Sequence, residues 1–254
     1  MTGLQLSKTR QVRKMCAKIF SKGVDLSEHQ GTVDFNKLKA SGIDFVILRA
    51  GYGSANLYPE QYDARFEEYY KKAKAAGLGV GAYWYSYAES LNMARDEAES
   101  FITALKGKQF DYPVYIDLEE DEISKRLGKA KYSDVAAKIL STVESNGYWV
   151  GIYASLYYLS NMLDMSKLSR YAVWCAQWND VCQYENAGIW QYTNSHTVNG
   201  IAGKVDADYA YYDYPSQIKA KGLNGYKKKS NNKDLIRTKL EQFEVLANEI
   251  ESLI

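Results

Sequence analysis

From Gly23 onward, short apolar runs rich in β-branched and aromatic residues alternate with stretches of helical period. The runs are Gly23 to Ser27, Phe45 to Gly51, Val80 to Tyr87, Val114 to Leu118, Tyr148 to Ala154, Ala172 to Trp178, Gly188 to Thr193 and Val205 to Ala210. Helical segments fall at 34–41, 61–76, 93–105 and 133–145, with Gly77 and Asn146-Gly147 as stop signals. Strands alternating with helices build βα units around a mostly parallel sheet. Eight strand candidates predict an α/β fold closed into an irregular TIM-like barrel. Five βα units would come first, then three strands without full helices. An open doubly wound sheet is the rival, and it lacks a glycine-rich phosphate loop after the first strand.

The barrel pattern covers residues 23–215, and the two ends differ from it. Residues 1–22 form a basic extension in which Val12, Met15, Cys16 and Ile19 have helical spacing. Packing on its own domain is the reading taken for that helix. Residues 216–232 are polar and basic and read as a linker, followed by a helix over 234–254. There Ile236, Leu240, Phe243, Ala247, Ile250 and Ile254 alternate spacings of four and three, a coiled-coil-like seam. Docking on the barrel, self-association and docking on a partner are all open for this helix.

A formal net charge of +1 over 254 residues gives no global attraction to nucleic acid or an anionic membrane. Two histidines argue against a His-rich metal site, and three cysteines without ligand spacing read as thiols rather than a disulfide frame. No apolar run reaches the roughly 18 residues of a membrane span. Lysines and arginines interrupt the N-terminus, so no secretory h-region is expected there. On this reading the chain is made in a cytoplasm.

The run Val114 to Leu118 carries Asp117 and leads to Glu119. Residues i and i+2 of a strand share a face, with Cα atoms about 6–7 Å apart. Acids are depleted in strand interiors and costly to bury, so this pair points to chemistry. Glu120, Asp121 and Glu122 read as a solvated loop. Catalytic groups of a parallel barrel gather at the C-terminal strand ends. Asp25 on the first strand and Asp206 on the eighth would meet Asp117 and Glu119 there when the barrel closes. Four clustered acids cannot all be ionised cheaply, so at least one holds its proton above the usual range. A protonated carboxyl beside an ionised one is what cleavage of a glycosidic bond requires. The alternative use is a divalent cation, which takes oxygen ligands. Asp208 shares the face of Asp206 as a secondary candidate. Tyr83, Tyr85 and Tyr153 either line the mouth as a sugar-stacking wall or simply fill the interior. Arg49 reads as a structural ion-pair residue.

Seven motifs occur in a characteristic order: Gly-Val-Asp-Leu-Ser-x-x-Gln-Gly (23–31), Phe-Val-Ile-Leu-Arg-Ala-Gly-Tyr-Gly (45–53), Gly-Ala-Tyr-Trp-Tyr-Ser (81–86), Tyr-Ile-Asp-Leu-Glu (115–119), Gly-Ile-Tyr-Ala-Ser (151–155), Trp-Gln-Tyr (190–192) and Val-Asp-Ala-Asp-Tyr (205–209). Together they resemble glycoside hydrolase family 25, the Chalaropsis-type lysozymes common among phage endolysins. The resemblance covers roughly residues 23 to 214. It implies an N-acetylmuramidase without a cofactor, cutting the β-1,4 bond between N-acetylmuramic acid and N-acetylglucosamine in peptidoglycan. It implies Glu119 as proton donor and Asp117 as the group balancing the positive intermediate. Asp25 and Asp206 would complete the pocket, and Trp178 and Gln191 would contact the N-acetyl group. Such an enzyme would act on the wall after release from a host cytoplasm or from within a virion. A structural virion component carrying a lysozyme domain, with a phage-particle partner on residues 234–254, is the alternative. Family members often carry His in place of Trp84 and Asn in place of Asp208.

Overall fold

A computed structural model describes residues 18–228 and 232–251. Eight strands close into a barrel in sequence order: β1 (Ser21–Leu26), β2 (Phe45–Tyr52), β3 (Gly79–Tyr85), β4 (Val114–Asp117), β5 (Val150–Ser155), β6 (Ala172–Ala176), β7 (Ile189–His196) and β8 (Val205–Ala210). Helices α1 (Phe35–Ala40), α2 (Phe66–Ala75), α3 (Leu91–Leu105), α4 (Asp121–Ser145) and the single-turn α5 (Met165–Leu168) follow the first five strands. No helix separates β6, β7 and β8 among the described residues. The architecture is thus five βα units followed by three strands.

Strands β1 to β7 run parallel, whereas β8 is antiparallel to both β7 and β1. This reversal corrects the expectation that Asp206 lies at a C-terminal strand end. It is the second residue of β8, so a parallel β8 would carry it to the opposite end of the barrel. The antiparallel direction brings Asp206 level with Asp25, its cross-strand partner.

Alternation along each strand divides the core in two. Val24, Leu26, Val46, Leu48, Val80, Val114, Ile116 and Ile152 pack outward beneath the helices. Phe45, Ile47, Tyr115, Trp174 and Ile189 fill the interior. The N-terminal end of the barrel is plugged by rings, with Phe45 stacked on Tyr112 at 4.2 Å. Glycines on neighbouring strands make the room. A Cβ on Gly23 would stand 2.3 Å from the Phe45 ring, and one on Gly151 would stand 2.5 Å from that of Tyr115. Toward the C-terminal ends the interior turns polar.

Several boundaries differ from the sequence expectation. Ser21 and Lys22, placed in the basic extension, begin β1. Of the predicted N-terminal helix, Val12, Met15 and Cys16 lie outside the described residues, and Ile19 is exposed. Residues 216–226 are not a linker. They complete α6 (Tyr214–Lys221) and a turn that seals the base of the barrel. Asn224 is fully buried there; its Nδ2 donates to the Tyr112 carbonyl at 2.8 Å and its Oδ1 accepts from Trp149 N at 2.6 Å. It adopts φ 55°, a left-handed conformation that asparagine tolerates better than most residues. A polar composition hid this buried clamp. The helix at the C-terminus is α7 (Asn232–Glu251). No described helix is long and apolar enough to cross a membrane.

Candidate active site

The polar end of the barrel collects the predicted acids. Asp25 and Asp117 are buried at 7% and 6% exposure, Asp208 is fully enclosed, and Asp206 and Glu119 are half-buried. Asp117 is the last residue of β4, and Glu119 lies beyond the strand rather than on it. The extended path persists for one more step because Leu118 N donates to the Tyr153 carbonyl at 3.0 Å. Glu119 is then anchored from β5, where Ser155 N donates to its Oε1 at 2.6 Å.

Every one of these carboxyls is pushed above its ordinary range, and burial is the first cause in each case. For Asp25 the nearby carboxyls of Asp208 and Asp206 add to burial, while a hydrogen bond from Gln191 opposes it. Burial and the charge of Glu119 raise Asp117, against a smaller pull from Arg49. Burial raises Glu119, with the Ser155 hydrogen bonds opposing. Asp206 is raised by burial and eased by its hydrogen bond with Asp25. Asp208 is raised by burial although Trp174 Nε1 donates to its Oδ1 at 2.7 Å. Asp117 Oδ1 and Asp208 Oδ2 are buried without a hydrogen-bond partner. The site therefore favours protons on carboxyls and has little means of neutralising all of them as anions.

The predicted lining residues converge on the same end. Gln191 is buried and central, its Nε2 donating to Asp25 Oδ2 at 2.9 Å. Its Oε1 accepts from Tyr153 Oη and from Trp178 Nε1, both at 3.1 Å. Trp178 is 59% exposed, so a ring fixed at one edge offers its surface to solvent. Tyr153 packs on Trp174 at 4.3 Å, and Tyr83 meets the same indole edge-on at 6.0 Å. Tyr85 Oη donates to Glu120 Oε2 at 3.1 Å, so Glu120 is not part of a merely solvated loop. It is the N-cap of α4, which begins at Asp121 and is broken at Gly128. Arg49 pairs with Asp63 at 2.8 Å and Glu28 at 2.9 Å rather than with the four acids. Among the described residues, no group of three or more His, Cys, Asp or Glu side chains is arranged to hold a metal ion.

Two contributors were missed. Tyr87 extends the Tyr83–Tyr85 alternation beyond β3, packing 4.9 Å from Tyr85 and 6.1 Å from Tyr52. Its i+2 spacing was available in the sequence. Glu97 on α3 was not legible, because helical acids are usually solvated. It is fully buried, accepting from Ser86 Oγ at 2.6 Å and from Tyr87 N at 2.9 Å. Ser86 N in turn donates to the Asp117 carbonyl at 3.1 Å, so Glu97 positions the segment beside the acids.

Burial raises Glu97 to about 7 from an ordinary 4.5. Because the folded value is raised, its stabilising contribution is complete below the unfolded value and is lost as pH rises through about 7. Glu97→Gln keeps the shape and the acceptor for Tyr87 N, and its Nε2 donates to Ser86 Oγ where the carboxylate accepted, all without the charge. The variant should match the parent near pH 4.5 and exceed it above pH 7 by on the order of 3 kcal/mol. Urea unfolding at the two pH values checks this; a variant less stable at both would refute it.

A TIM-like barrel that gathers carboxyls and tyrosines at the C-terminal mouth of its parallel strands has the architecture of a glycoside hydrolase. The family described as Glycosyl hydrolases family 25 matches residues 24–201, and the chain belongs to it. The autolytic lysozyme of Clostridium acetobutylicum is 30% identical over 191 residues, covering 74% of this chain and 55% of that protein. The modular autolysin LytC of Streptococcus pneumoniae superposes with a TM-score of 0.66 at 28% identity, covering 74% of this chain and 46% of the other. The bacterial lysozyme of Streptomyces coelicolor shares the fold, with a TM-score of 0.67 at 19% identity over 81% of this chain and 98% of its own. The chain spans about half the length of the autolytic lysozyme and of the autolysin.

Proposed function

We propose that the barrel is a peptidoglycan muramidase, cutting the β-1,4 bond between N-acetylmuramic acid and N-acetylglucosamine in bacterial cell walls. The observation that carries this is the pair at the end of β4. Glu119 is half-buried, raised by burial and held by Ser155, two residues from a buried Asp117 that retains an unpartnered oxygen. Glu119 gives its proton to the glycosidic oxygen as that bond breaks. The two carboxyls share one proton, and in the productive form it lies on Glu119, leaving Asp117 ionised to balance the positive charge that develops on the sugar ring. Asp25, Asp206 and Gln191 grip the substrate and hold protons between them. Tyr83, Tyr85, Tyr153 and Trp178 supply ring surfaces and hydroxyls for pyranose units.

The relatives support the substrate class. One is named an autolytic lysozyme, and LytC has been solved in complex with a synthetic peptidoglycan ligand, at a TM-score of 0.66 and 28% identity. The catalytic unit we assign runs from Ser21 through Tyr226, since α6 and Asn224 close the base of the barrel. Its partner is a glycan strand, and its place of action is the cell wall. Digestion of defined peptidoglycan followed by mass spectrometry tests this. New reducing ends on muramic acid are the expected product; reducing ends on glucosamine, or released peptides alone, would refute it.

A further inference from the structure

Among the described residues nothing covers the apolar stripe of helix α7 (Asn232–Glu251). Ile236, Leu240, Phe243, Leu246 and Ile250 are 57%, 59%, 75%, 53% and 53% exposed. Every α7 side chain described from Ile236 to Glu251 is exposed, so the stripe is not seated on its own barrel. In proteins most of a helix's stability comes from packing its amphipathic face rather than from its own propensity, and this helix is 20 residues long.

The pattern of the stripe selects its occupant. Ile236, Leu240, Phe243, Ala247 and Ile250 alternate steps of four and three, the heptad spacing that keeps one seam facing an identical helix. Leu240 and Ala247 take the a positions, and Ile236, Phe243 and Ile250 the d positions. Lys239 then falls at g and Glu244 at the following e, five residues apart and opposite in charge. In a parallel coiled coil of this chain each Lys239 faces the Glu244 of a neighbouring copy. Arg237, at an e position, pairs instead with Glu241 of its own helix at 3.2 Å. Val245, 59% exposed, falls at the outward f position.

We propose that α7 joins this chain to further copies of itself as a parallel coiled coil through the Ile236–Leu240–Phe243–Ala247–Ile250 seam. The assembly carries one barrel per helix, so a polymer meets more than one site on one particle. The association itself does not depend on the catalytic assignments. Size-exclusion chromatography with light scattering on the full chain, at tens of micromolar, tests it. The expected mass is a whole-number multiple of the 28.8 kDa of one chain, and leucine at a with isoleucine at d favours three or four strands over two. Leu240→Glu with Phe243→Glu should give the single-chain mass with an unchanged near-ultraviolet spectrum from the barrel. Val245→Glu, on the opposite face, should remain associated. Lys239→Glu should weaken association, and adding Glu244→Lys should restore it. A single-chain mass for the parent, association that survives the double seam substitution, or loss of association in Val245→Glu would each overturn the proposal. Failure of the charge swap to restore association would overturn the parallel arrangement.

Discussion

Glu119→Gln is expected to lower the rate of wall lysis by about 10²–10⁴-fold, the usual contribution of a positioned general acid. Glutamine has nearly the same shape, and its carbonyl can still accept from Ser155 N. What it lacks is a transferable proton. The loss should therefore fall on kcat and leave KM nearly unchanged, because the group acts on the leaving oxygen in the transition state. The pH profile gives a second readout. Burial raises the Glu119 carboxyl, which extends its protonated range upward and places the alkaline limb of activity at its titration. Residual activity of the glutamine variant should have lost that limb. Glu120 is the internal control. It is one residue further on and accepts a hydrogen bond from Tyr85, so Glu120→Gln should stay within several-fold of the parent. Initial rates of turbidity loss on purified walls, followed across pH, measure all three. A Glu119→Gln enzyme as fast as the parent removes Glu119 from its role, and an inactive Glu120→Gln enzyme beside it would transfer that role.

The barrel was legible because its strands are written as short β-branched and aromatic runs, each closed by a turn or helix signal. Strand direction was not, because periodicity is the same read either way. The reversal of β8 therefore had to come from the structure, and it is this reversal that brings Asp206 level with Asp25. The acids stood out because carboxyls are rare in apolar strands. Their hydrogen-bonded surroundings did not, because they join residues far apart in the chain: Gln191 to Asp25, Trp174 to Asp208, Ser155 to Glu119. Asn224 and Glu97 show the limit most clearly. Each is polar, lies in a segment whose composition looks solvated, and is fully buried. Sequence composition reports average environment, whereas each of these residues owes its burial to one specific set of partners. By contrast Tyr87, next on the Tyr83–Tyr85 face, could have been read from alternation alone.

Asp117→Asn is expected to separate activity from stability, moving them in opposite directions. Asparagine cannot carry the negative charge that balances the developing cation, and loss of such a group costs about 10²–10³-fold in kcat. Yet the aspartate is an expensive residue to hold at this position. It is buried, one oxygen has no partner, and burial together with the charge of Glu119 raises its carboxyl well above the ordinary 3.8. Since the folded value is raised, the folded chain holds this proton more tightly than the unfolded chain. That contribution is fully present below the ordinary value and is lost as pH rises through the folded one. Above it the parent must bury a charge that the variant never has. The variant should therefore match the parent in acid and surpass it at pH 8 by on the order of 1–3 kcal/mol, the desolvation penalty of an unsatisfied buried polar group. In a domain of this size each kcal/mol corresponds to roughly 2–4 °C in Tm. The gain in stability also rules out misfolding as the cause of lost activity. It would identify Asp117 as a residue whose strain is kept for catalysis, the trade-off seen when function requires an unfavourable group. Thermal unfolding at pH 4 and pH 8, run beside turbidity assays, decides the matter. An active variant defeats the charge-balancing role, and a variant destabilised at pH 8 defeats the account of burial.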